Sequence, residues 1–231
     1  MLQLVGLIGI SWIVLWFFEK RNLSVLGLTP TIARLKYSTI LFIVSALLSA
    51  TAFLLRMYFA KEVYTLSHSL TIESALLETW YQFRSVMTEE LMCRGALLYL
   101  LIKKIGQTKA MMVSSLLFAV LHWTNQGVWG NFTQMTLLFA FTFAMGLLLA
   151  YTYVRTFSLL LPFGIHFGWN LTQNYIFPDI TTGNNVFILA SPPPTVTISY
   201  LAFFTLLLFP KITVLVIDYL IVKRHPQVKT P

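Results

Sequence analysis

Long apolar runs separated by short polar breaks fill this chain, and the runs are of bilayer length. A helix needs roughly 20 apolar residues to cross the hydrocarbon of a membrane. Seven such segments can be drawn, at 2–18, 38–60, 85–102, 110–126, 132–154, 158–177 and 197–222. The third and fourth carry polar residues. The stretch "TIESALLETWYQF" (71–83) mixes Glu73 and Glu78 with Leu76, Leu77, Trp80 and Phe83, a pattern suited to an amphipathic helix lying along the interface. The opening run has no basic leader and no small-residue cleavage site, so it reads as a retained span and not as a removed signal. The long polar connection at 178–196 holds three prolines at 192–194 that cannot be helical. The pattern predicts an all-α, polytopic transmembrane bundle of about seven spans, one membrane domain over 1–231.

Composition agrees. The chain is 57% hydrophobic and 10% charged, with mean hydropathy +0.76, whereas soluble domains carry about 25% charged residues. A net charge of +8 would suit nucleic acid in a soluble protein. Here the basic residues lie between apolar runs, so the lipid bilayer is the predicted partner and nucleic acid is not. Lys20, Arg21, Arg34, Lys36, Lys103, Lys104, Lys109, Arg155, Lys223, Arg224 and Lys229 all fall on one side if there are seven spans. Lys61 and the borderline Arg56 and Arg84 fall on the other. Basic loops face the cytoplasm, which puts the N-terminus outside and the C-terminus inside. The single cysteine, Cys93, excludes an intrachain disulfide.

Charges inside apolar runs cost about 2.5–3.5 kcal/mol each on insertion scales and mark function. Glu89, Glu90, Arg94, His122, His166, Asn170, Lys211 and Asp218 are of this kind. Glu90 and Arg94 are four apart with the acid first, the favourable order for an intrahelical pair. Glu89 is turned about 100° from Glu90, so one carboxylate is neutralised while the other points elsewhere. Phe118 and His122 share a face, as do His166 and Asn170. Lys211 and Asp218 are better explained by snorkelling or by pairing with another helix than by chemistry.

In order these residues read Glu89-Glu90-Leu-Met-Cys-Arg94, then Phe118-Ala-Val-Leu-His122, then His166-Phe-Gly-Trp-Asn170. That succession resembles the CPBP family, the CAAX prenyl protease type II and bacteriocin-processing (Abi) group of intramembrane proteases. The resemblance covers about residues 83–175. It implies a helical bundle whose motif residues meet in a polar, water-filled cavity, and hydrolysis of a peptide bond in a membrane-embedded, lipidated or hydrophobic peptide or protein. It makes Glu89 the activating base, sets His122 beside it to hold the water, and places His166 and Asn170 at the developing oxyanion. Glu90, Arg94 and Phe118 support them. Such hydrolysis needs an activated water and a stabilised oxyanion.

Glu89, His122 and His166 are also a candidate zinc set, since two imidazoles and a carboxylate leave an open position for water. No compact His-Glu-x-x-His spacing is present, and no cofactor is favoured. The bacterial branch, in the cytoplasmic membrane and with links to bacteriocin immunity, fits a short chain. The drawn spans place Glu89 and His122 nearer the outer face. Competing readings are a proton- or ion-coupled transporter, a haem site on His122 and His166, and a non-cleaving bacteriocin-immunity or scaffold protein of the same fold. The oligomeric state is not legible.

Overall fold

Short polar side chains start most of the long helices. The computed structural model describes residues 2–125, 127–178 and 184–228; Lys229 and positions 179–183 of the long connection lie outside them. The described residues form helices α1 (Leu2–Glu19), α2 (Ile32–Phe59), α3 (Ile72–Arg94), α4 (Ala96–Ile105), α5 (Gln107–Leu121), α6 (Phe132–Thr156), α7 (Leu160–Leu171) and α8 (Tyr200–Arg224). Thr31, Asn131 and Ser199 each accept a hydrogen bond from the first turn of α2, α6 and α8. Thr71 and Ser74 cap α3 reciprocally. Each such bond satisfies an amide that the helix cannot satisfy itself, typically worth about 1 kcal/mol.

Four helices, α1, α2, α6 and α8, are long and apolar enough to cross a membrane. Large apolar side chains such as Val5, Phe17, Leu47 and Phe203 face outward on them, as they do where the solvent is lipid. The other drawn segments differ from expectation. Residues 71–83 are not a separate interfacial helix; they are the first half of α3, which runs unbroken to Arg94. The drawn span 85–102 straddles a break at Gly95, where a side chain would collide with the Leu91 carbonyl. The segment at 158–177 is a helix of 12 residues followed by a π-helical turn, Thr172–Ile176. Arg34 and Lys36 sit inside α2, not in the loop before it. The fold is also not purely helical. Strand β1 (Tyr64–Leu66) pairs antiparallel with β2 (Phe187–Leu189), Thr65 opposite Ile188.

Contacts between connections gather the basic residues at one end of the bundle. Lys103 Nζ lies 2.8 Å from Glu19, joining the ends of α4 and α1. Leu159 N–H donates to Leu26 O, and Ser158 Oγ to Gly27 O, joining the α1–α2 and α6–α7 connections. Arg155 donates to the carbonyls of Lys223 and His225, joining α6 to α8. The β1–β2 pair and the Arg56–Glu62 ion pair, 2.8 Å, occupy the opposite end.

Helices α2 and α7 pack closest. A Cβ on Gly164 would meet the Ser38 backbone, and one on Gly168 the backbone of Phe42. Small residues let membrane helices approach until polar groups can bond across. Ser38 Oγ donates to Leu160 O at 2.7 Å, and Ser49 Oγ to Trp169 O at 3.2 Å. From the same face of α2, Ser45 Oγ donates to the buried carboxyl of Asp218 on α8 at 2.6 Å. This is the inter-helix partner anticipated for Asp218. Lys211 Nζ donates to Leu207 O of its own helix and lies 5.6 Å from the centre of the Phe141 ring on α6. Gly168→Val should lower stability in micelles by about 1–3 kcal/mol, the usual cost of overpacking, read as a lower melting temperature. Gly9→Val, which meets nothing within 4 Å, should not.

Candidate active site

Three helices bring the motif residues together. From α3 come Glu89, Glu90 and Arg94, from α5 Phe118 with His122 just beyond its end, and from α7 His166 and Asn170. The four-residue ion pair forms: Arg94 Nη1 lies 3.0 Å from Glu90 Oε1, and both side chains are fully buried. The same carboxylate oxygen accepts a 2.8 Å hydrogen bond from His166 Nδ1. The Arg94 guanidinium also lies 4.1 Å from the centre of the Phe118 ring. That ring meets both imidazoles edge-to-face, at 4.4 Å for His122 and 5.5 Å for His166.

These contacts assign the protons on the imidazoles. A carbonyl or carboxylate oxygen only accepts, so a nitrogen bonded to one must carry the hydrogen. His122 Nδ1 is 2.8 Å from Phe118 O and donates to it; His166 Nδ1 donates to Glu90. In the neutral rings both Nε2 atoms are therefore lone pairs. His166 Nε2 accepts from Asn170 Nδ2 at 3.2 Å. His122 Nε2 and His166 Nε2 lie 3.9 and 3.7 Å from Glu89 Oε2. That oxygen has no hydrogen-bond partner among the described residues, while Glu89 Oε1 accepts from Ser85 Oγ at 3.4 Å.

Glu89 Oε2 and His122 Nε2 are thus facing acceptors without a donor among the described residues, while the His166 Nε2 lone pair is taken by Asn170. Zinc holds such ligands at about 2.0–2.2 Å, which in tetrahedral geometry brings them to roughly 3.3–3.6 Å of one another. In this arrangement the Glu89 oxygen lies 3.9 and 3.7 Å from the two imidazole nitrogens, slightly wider than that. No other group of three His, Cys, Asp or Glu side chains among the described residues is placed to hold a metal either.

Glu89 stands where two cavities adjoin. One, of about 460 Å³, is bounded by Glu89, His122, Phe141, His166, Trp169 and Asn170. The other, of about 300 Å³, runs along α3 towards the start of α1, past Tyr81, Arg84, Ser85 and Thr88 to Glu89 and His122.

Residues 71–172 match the family model described as Type II CAAX prenyl endopeptidase Rce1-like. Over this stretch, a little under half of the chain, the protein is similar to that family. The match starts at Thr71, the cap of α3, and ends at Thr172, just past α7, so it contains every motif residue above. It supports the CPBP resemblance and points to a protease. With four helices of crossing length it makes the chain an integral membrane protein. No curated protein and no solved structure matches the chain.

Several residues around the site were not singled out from sequence. Ser85 bonds Glu89. Gln82 and Asn174 join α3 to the π-helical turn after α7, Asn174 Nδ2 donating to Gln82 Oε1 at 3.3 Å. The available signal was spacing: Tyr81, Ser85 and Glu89 recur every four residues, as do His166, Asn170 and Asn174. The ion pair is itself testable. Removing one partner of a buried pair strands the other charge and typically costs about 3–5 kcal/mol. Arg94→Met should lose stability on that scale in thermal unfolding in micelles, and adding Glu90→Gln to it should recover part of the loss.

Proposed function

We propose that this chain is an intramembrane endopeptidase of the CPBP type. It hydrolyses a peptide bond in a membrane-associated, lipidated or hydrophobic peptide or protein. The observation that carries this reading is the unengaged Glu89 oxygen facing the His122 lone pair and the His166–Asn170 pair beside a polar cavity. A water placed there donates to acceptors only, which raises electron density on its oxygen.

The chemistry follows from the charges. Glu89 takes a proton from the water as the oxygen adds to the substrate carbonyl carbon. The negative charge moves from the carboxylate to the carbonyl oxygen, which becomes the tetrahedral oxyanion. His122 accepts a hydrogen bond from the water and fixes its orientation. The proton on Glu89 then passes to the departing amine as the C–N bond breaks, leaving a carboxylic acid and an amine. Asn170 is the amide donor for the oxyanion. His166 holds its neighbour through Nε2 in the neutral form, and can donate to the oxyanion itself only as an imidazolium. That qualifies the role implied by the family resemblance, in which both residues donate alike. No step needs a metal.

The seven drawn segments then correspond to α1, α2, α3 with α4, α5, α6, α7 with its π turn, and α8, each a crossing. The basic end is the cytoplasmic one by the usual bias of loop charge. The bacterial cytoplasmic membrane suits this reading.

Glu89→Gln keeps the shape of the side chain and removes the base. In proteoliposomes it should lower peptide hydrolysis by at least about 10³-fold, while Asn170→Ala should cost about 10²–10³-fold, the typical effect of losing one oxyanion donor. Mass spectrometry of membrane peptides from cells carrying wild type or Glu89→Gln would register both the activity and a substrate. Identical peptide profiles would favour a non-cleaving scaffold. Stoichiometric zinc in the purified protein, lost in His122→Ala, would replace the metal-free step.

A further inference from the structure

The cavity along α3 carries a cation that the hydrolytic step does not use. Arg84 lines it together with Tyr81, Ser85, Thr88 and Glu89. Its guanidinium lies 5.6 Å from the centre of the Tyr81 ring, and it has no ion pair or hydrogen bond with any described residue. The other arginines near the interior are engaged: Arg56 with Glu62, Arg94 with Glu90, and Arg155 with backbone carbonyls. Arg84 is also the only lysine or arginine among the described residues that bound either cavity at Glu89.

Helix geometry keeps this cation from quenching the base. Five residues separate Arg84 from Glu89, about 7.5 Å along the axis and about 140° around it. The two side chains therefore flank the cavity from opposite edges of one helical face. The larger cavity on the other side of Glu89 is bounded by neutral amides, aromatic rings and imidazoles, with no permanent positive charge. The site is electrically lopsided: one arm has a free guanidinium and the other has none.

We propose that Arg84 is a specificity residue that binds a carboxylate on the part of the substrate lying in the α3 cavity. This rests on the peptidase reading above. A guanidinium in a partly buried setting matches a carboxylate in a fork of parallel hydrogen bonds. The carboxylate is either the peptide's C-terminus or an Asp or Glu side chain, and the two are separable by experiment.

The test uses the full chain in neutral phosphatidylcholine vesicles and a defined library of N-acylated hydrophobic dodecapeptides. Each peptide is made with a free C-terminus or a C-terminal amide, and with one Asp or one Asn. Retention is measured on Glu89→Gln protein, which needs no turnover. Peptides bearing a carboxylate should be retained about tenfold over their neutral partners, the scale of one charge-assisted contact. Adding Arg84→Gln should abolish the preference, and Arg84→Lys should keep part of it, at unchanged melting temperature. The free-acid and Asp arms identify which carboxylate is read. With Glu89 restored, Arg84→Gln should raise KM for any cleaved acid about tenfold and leave kcat nearly unchanged. Retention with this preference but no cleavage by wild type would sink the peptidase reading and leave the carboxylate site standing. Equal retention of acids and neutral partners, or a preference that survives Arg84→Gln, would overturn the assignment. So would an effect of Arg84→Gln seen only on adding anionic phosphatidylglycerol, which would make the residue a headgroup anchor.

Discussion

A guanidinium and a carboxylate buried without solvent hold this core together. Neither Arg94 nor Glu90 could stay charged there alone, because moving an isolated ion from water into a low-dielectric interior costs far more than a fold can spare. Together they are tolerated, and the geometry puts the pair to a second use. Glu90 Oε1 is shared between Arg94 and His166. The acceptor that neutralises the arginine therefore also sets the tautomer of a histidine on another helix. Phe118 closes the arrangement from α5, its face under the guanidinium and its edges against both imidazoles. One ion pair thus ties α3, α5 and α7 at a common level.

The two adjacent glutamates differ only in azimuth, and that difference decides their chemistry. Glu90 turns inward and is fully buried, while Glu89, about 100° around the helix, is 30% exposed and opens on both cavities. Glu90 is already bonded to a cation and an imidazolyl N–H, whereas Glu89 faces the His122 lone pair and a hollow and has neither partner. Because both sit on one rigid turn, neither can drift into the other's role without unwinding α3.

The motif residues and their pairing were legible in the sequence because they follow from four-residue spacing within a helix, which tertiary structure does not alter. The limits of the elements were not. Hydropathy drew the third span at 85–102 because Glu73 and Glu78 lower the average before it. The capping pair at Thr71 and Ser74 nevertheless starts α3 there, and Gly95 interrupts it. With the helix cut short, Tyr81, Gln82 and Arg84 fell before the drawn span, although they bound its cavities. The β1–β2 pair was invisible for another reason: two strands of three residues, more than a hundred positions apart, carry no periodicity of their own.

Helix α7 carries two of the seven motif residues, His166 and Asn170, and leans on its neighbours. Its 12 residues rise about 18 Å, short of the roughly 30 Å of a hydrocarbon core. The π-helical turn that continues it leaves backbone groups out of the regular ladder, and such turns gather at functional sites. Serine hydroxyls from α2 also donate to carbonyls of α7, Leu160 at its start and Trp169 in its last turn, across a seam that Gly164 and Gly168 keep narrow. Gln173 extends the link, donating to Ser49 Oγ at 3.0 Å. The glycines are therefore part of the site in a mechanical sense. They set the depth at which His166 meets Glu90, and so the distance between its Nε2 and the oxygen of Glu89. Helix α2 contributes no motif residue, yet the placing of His166 against Glu90 and Glu89 is fixed through it.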